Sequence, residues 1–121
     1  MNPKSFENLR LRGGFVVLGI DWVIGPLVDA AGRNAVGNTR IIGREILVTL
    51  TSGLDEKEKS VSLYHEVLEA MSVACEKPPD SVTEFNEGDF EKAGYEAHKQ
   101  FGPASPDNLN RMLQFYGFEE E

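Results

Sequence analysis

His65, Glu66 and Glu69 fall within about one helical turn of each other in the run Leu63-Tyr64-His65-Glu66-Val67-Leu68-Glu69-Ala70. On a helix, positions i and i+4 lie about 5–6 Å apart on one face, so His65 and Glu69 can address a single cation while Glu66 stands beside it. Imidazole and carboxylate both ligate divalent ions. Such an ion lowers the pKa of its water to ~7, and an adjacent carboxylate can take the proton. The same spacing also describes a surface pair worth only ~0.3–0.5 kcal/mol, so the chemistry requires a sheltered setting and a third ligand.

Both requirements have candidates. Ser62, His65, Glu66, Glu69 and Ser72 form a narrow polar stripe bordered by Val61, Tyr64, Val67, Leu68 and Met71, which predicts partial burial. Downstream, Phe90, Ala93, Gly94, Ala97 and Phe101 make an apolar stripe, and Glu87 precedes Phe90 on it, so its carboxylate is expected to face inward. Glu91, one turn later, is the substitute, and Gly94 would let the two helices approach closely. Both glutamates equally suit the positive end of a helix dipole. His98 is two turns from Glu91, about 10 Å and too far to share an ion with it, and is read as a surface residue.

The elements that must position these residues can be read in order. Residues 15–24 are β-branched and aromatic, follow Gly13-Gly14 and predict a strand bent at Gly19 and ended by Gly25-Pro26. Residues 29–40, with Gly32, Asn34, Gly37 and Asn38, read as a turn-rich connection or a flap. Ile41-Ile42 and Glu45–Leu50 predict two short strands separated by Gly43. Asp55 is an N-cap for a helix that must stop before Pro78-Pro79. Asn86 caps a second helix that ends at Gly102-Pro103, and Ser105-Pro106 opens a third with Leu109, Met112, Leu113 and Tyr116 on its apolar face. Strands first and helices after means α+β, a small twisted β-sheet followed by an active-site helix and two further helices. At 121 residues, 1–121 is a single domain.

Composition removes several function classes. Twelve basic residues against 20 acidic give a net charge of −8, the wrong sign for nucleic acid, whose phosphates need clustered Lys and Arg. Only Lys4, Arg10 and Arg12 make a thin basic start. No apolar run approaches the roughly 18 residues of a membrane span, and the first residues lack an apolar leader core, so a cytoplasmic protein is expected. The lone cysteine, Cys75, excludes an internal disulfide or a multi-cysteine zinc site and reads as packing.

Residues 45–70, from Glu45-Ile46-Leu47-Val48-Thr49-Leu50 through the acidic linker to Leu63-Tyr64-His65-Glu66-Val67-Leu68-Glu69-Ala70, resemble the core of the gluzincin metallopeptidases. The likeness is to their small phage and bacterial members, related to repressor-cleaving peptidases, and covers about half the chain, roughly residues 41–101. In that family an edge strand is followed by a short linker, a helix bearing His-Glu-x-x-His, and a downstream glutamate as third zinc ligand. The resemblance implies a minimal zincin-like fold, with His65 as first ligand, Glu66 as general base and Glu87 or Glu91 as third ligand. Glu69 stands where the second histidine belongs. It keeps a ligand atom but makes the donor set harder, so the cofactor implied is a divalent ion, zinc first, with manganese, iron or magnesium also suited. It also implies an extended peptide or protein substrate along the strand ending at Leu50. Two readings stand beside this one: a catalytically inactive protein-binding module that retains the fold and holds no metal, and a phage assembly protein, for which the sequence offers no extended heptad or large exposed apolar stretch.

Overall fold

The computed structural model describes residues 3–24, 27–28, 34–35 and 37–119. The expected α+β order is observed. Strands β1 (Leu9–Arg10), β2 (Val16–Val23), β3 (Leu27–Val28), β4 (Asn34–Ala35), β5 (Gly37–Ile42) and β6 (Glu45–Thr51) precede helices α1 (Glu56–Ala74), α2 (Glu87–Phe101) and α3 (Pro106–Phe115). Short 3-10 turns at Pro3–Phe6 and Asp80–Val82, which the sequence reading did not anticipate, fill in around them.

Four strands form one sheet in the order β1-β2-β6-β5, and β3 pairs with β4 in a separate two-stranded ribbon. β2 and β6 run parallel, from Val16 opposite Glu45 to Val23 opposite Thr51, with the register shifting between Val17 and Gly19 where a bend was expected. β5 and β6 are antiparallel, joined through Gly43 and Arg44 between the paired Ile42 and Glu45. Gly43 has φ +61°, the left-handed backbone that a two-residue hairpin of this kind requires at its first position.

Two sequence expectations change here. Residues 37–40 are not part of a connection but the first four residues of strand β5; the turn-forming Gly37 and Asn38 are overridden by pairing with Leu50 and Thr49. Of the rest of the flap-like stretch, 34–35 belong to β4, while 29–33 and 36 lie outside the described residues, as does the Gly25-Pro26 stop. The strand ending at Leu50 is also not an edge. β6 has partners on both sides, and β5 is the outer strand.

The alternation of β5 and β6 fixes what faces the helices. Ile46, Val48 and Leu50 are fully buried, and their β5 partners are Ile41, Thr39 and Gly37. α1 packs against this row on one side and against α2 on the other. That sandwiching explains why α1 is buried around nearly its whole girth, with Leu63, Tyr64, Val67, Leu68 and Met71 inaccessible. Its ends follow local chemistry: the Asp55 carboxylate accepts from the Glu58 N–H, and the chain turns extended at Cys75, which packs at the margin of the core. α2 starts with a reciprocal capping box between Asn86 and Asp89, and Ser105 caps α3 with Pro106 in the first turn.

Candidate metal centre

Three side chains from two helices converge. His65 Nε2 lies 3.0 Å from Glu69 Oε2, one turn along α1, and 3.1 Å from Glu87 Oε1 at the start of α2. One ligand atom from each residue falls within 4.8 Å of the other two. A tetrahedral ion with ligand bonds of ~2.0–2.2 Å needs ligand–ligand separations of about 3.3–3.6 Å, so the group fits one cation after a small outward movement of the carboxylates. One imidazole and two carboxylates are suitable donors for zinc, manganese or iron.

The crossing of α1 and α2 depends on Gly94. A Cβ at this position would lie 2.7 Å from the Val61 carbonyl oxygen and 3.2 Å from His65 Cβ. The missing side chain therefore brings α2 directly against the His65 turn, as the sequence suggested. Glu87 is more exposed than expected, with 62% of its side chain accessible against 14% for His65 and 31% for Glu69. It closes the cluster from the solvent side. Glu91 is exposed and takes no part, so the choice between Glu87 and Glu91 as third member falls to Glu87.

The electrostatics follow from this packing. Burial alone would lower the His65 pKa, but the hydrogen bond with Glu69 and the charges of Glu66, Glu69 and Glu87 outweigh it, leaving the value raised. Glu69 is lowered, first by its hydrogen bond with His65. Glu87 is raised, first by desolvation and then by its contact with Glu69. Two carboxylates against one imidazole leave a site with surplus negative charge, which favours a cation.

Glu66 is not one of the three but lies close enough for their charges to act on it. Its side chain lies under β5, 8% exposed, and the Thr39 hydroxyl donates to its Oε2 at 2.8 Å. Burial raises its pKa, and the Thr39 hydrogen bond and His65 partly offset this. Thr39 was missed in the sequence because residues 29–40 were read as turns. Carrying the alternation of Ile41 back by two residues would have put it on the helix-facing side.

His98 is not the surface residue expected. It is half-buried, and its Nδ1 shares a 2.7 Å hydrogen bond with Oγ of the buried Ser60, which also accepts from the Ala104 N–H at 2.8 Å. The Tyr64 hydroxyl donates to the Gly102 carbonyl at 2.8 Å, and burial pushes its pKa up to about 12. His98 thus joins α2 to α1, while Ser60 and Tyr64 tie α1 to the α2–α3 connection, apart from the His65–Glu69–Glu87 cluster. Among the described residues no helix is long and apolar enough to cross a membrane. Models of protein families, curated proteins and solved structures were each searched for relatives of this chain, and none matches.

Proposed function

We propose that the chain is a zincin-like, divalent-cation-dependent peptide hydrolase of the cytoplasm, with His65, Glu69 and Glu87 holding the ion and Glu66 serving as the general base. The observation that carries this reading is the convergence of His65 with carboxylates from two different helices, 3.0 and 3.1 Å away, beside a buried glutamate one residue further along α1. When bound, the cation would supply Lewis-acid polarisation of a water and of the substrate carbonyl. Glu66 would accept a proton from the attacking water, and burial, the largest cause, raises its pKa above the ordinary carboxylate value. Glu69 in place of a second histidine adds negative charge, which makes the water less acidic and slows the reaction relative to a two-histidine site. An extended peptide finds its backbone partners on the outer edge of β5, the strand that covers Glu66.

The test is metal analysis of protein purified without chelators, beside His65→Ala, followed by titration with zinc, manganese and iron. One ion per chain, lost in the variant, is the expected result. At 100 times Kd, the ion adds about 2.7 kcal/mol to stability, removable with a chelator. If no ion binds to the wild type at any concentration tried, the hydrolase reading is wrong and the domain is a protein-binding module using the β5 edge.

A further inference from the structure

We propose that Thr39, on the outer strand β5, is a positioning residue for Glu66, holding its carboxylate in one orientation through a hydrogen bond to Oε2; this rests on the hydrolase reading above. The inward row of β5 is Gly37, Thr39 and Ile41, opposite the buried Leu50, Val48 and Ile46. A hydroxyl in such a row is costly unless it is hydrogen-bonded. Thr39 is bonded, to Glu66 Oε2 at 2.8 Å. Among the described residues no fully buried side-chain oxygen lacks a partner.

Gly37 adds an independent constraint from the same strand. A Cβ there would come 2.8 Å from Leu50 Cδ2 and 3.3 Å from Glu66 Cγ. The strand therefore leaves room for the Glu66 stem at one position and anchors its carboxylate at the next inward one. A base held by a short hydrogen bond on one oxygen loses little freedom when it accepts a proton. Any peptide that adds to the outer edge of β5 lies on the strand that sets this geometry, so substrate binding and base alignment share one element.

Three variants test this. Thr39→Val removes the hydroxyl at nearly constant shape, Thr39→Ser restores it, and Glu66→Met removes the acceptor for a double-mutant cycle. In urea unfolding of metal-free protein, the Thr39→Val and Glu66→Met pair is expected to show a coupling of about fivefold or more in the unfolding constant. With zinc or manganese and a set of fluorogenic peptides, Thr39→Val is expected to lower kcat about tenfold. KM and metal stoichiometry stay unchanged, and Thr39→Ser recovers most of the loss. Absence of coupling overturns the proposal, as does an unchanged kcat in Thr39→Val while Glu66→Gln is inactive. A wild type that holds its ion but cleaves nothing refutes the hydrolase reading itself, and Thr39 then keeps only a packing role.

Discussion

Glu66 is a carboxylate where the fold would be better served by a neutral group. Burial raises its pKa, so its contribution to stability is complete below the ordinary carboxylate range and is lost as pH rises through the raised folded value. Glu66→Gln keeps an acceptor for Thr39 while removing the charge. It is expected to raise stability at pH 7 by about 1 kcal/mol, roughly 4 °C in Tm, and, under the hydrolase proposal, to abolish activity. Loss of stability in a thermal scan would contradict this. His65 and Glu69 set a second pH dependence. A raised histidine stabilises the fold fully below its ordinary 6.5 and ceases to as pH rises through the folded value. A lowered Glu69 contributes above its ordinary 4.5 and is lost as pH falls through the folded value. Metal-free protein is therefore expected to have the full contribution of this pair between about pH 4.5 and 6.5. Under the proposed metal site, the proton and the ion compete for Nε2, so metal affinity is expected to climb with pH until His65 is neutral, measurable by calorimetry at successive pH values.

At the scale of elements, the proposed site is the crossing of α1 and α2, and Gly94 is a point of close contact. Alanine is the better helix former by about 1 kcal/mol, yet its Cβ would press into backbone rather than into a movable side chain. Gly94→Ala is expected to cost a net of about 2 kcal/mol in urea unfolding and, under the proposed metal site, to weaken binding of the ion, because Glu87 moves with α2 while His65 and Glu69 stay on α1. A stabilised variant with unchanged metal affinity would show that the close approach is dispensable.

Across the whole molecule, the first and last described segments are stitched together. Asn110 of α3 accepts from the Arg12 N–H at 2.8 Å and donates to the Arg10 carbonyl at 3.0 Å, while Arg12 Nε donates to the Phe118 carbonyl at 2.9 Å. The Gly13 N–H reaches the Glu119 carbonyl at 2.8 Å. Of the thin basic start, the Arg12 side chain is thus committed to joining the first and last described segments. Asn110→Ala leaves the Arg12 N–H without its acceptor and is expected to destabilise the fold by about 1–3 kcal/mol, with metal stoichiometry unaltered.

The local elements were legible because their signals are local. Asp55, Asn86 and Ser105 mark helix starts by side-chain-to-backbone bonds that span three residues, and the β-branched runs of β2 and β6 have few other uses. His65, Glu66 and Glu69 were legible for the same reason, since helical spacing alone puts the first and last on one face. What the tertiary structure decided were the relations between distant segments. Pairing with β6 turned Gly37–Arg40 into strand and placed β5, not β6, at the edge. The α1–α2 crossing selected Glu87 over Glu91, which the sequence places on similar footing one turn apart. Thr39 and His98 acquired their partners, Glu66 and Ser60, only when strand and helix closed over α1. Periodicity gives the face a residue occupies, whereas its partner is set by the long-range packing of hydrophobic faces that no short window contains.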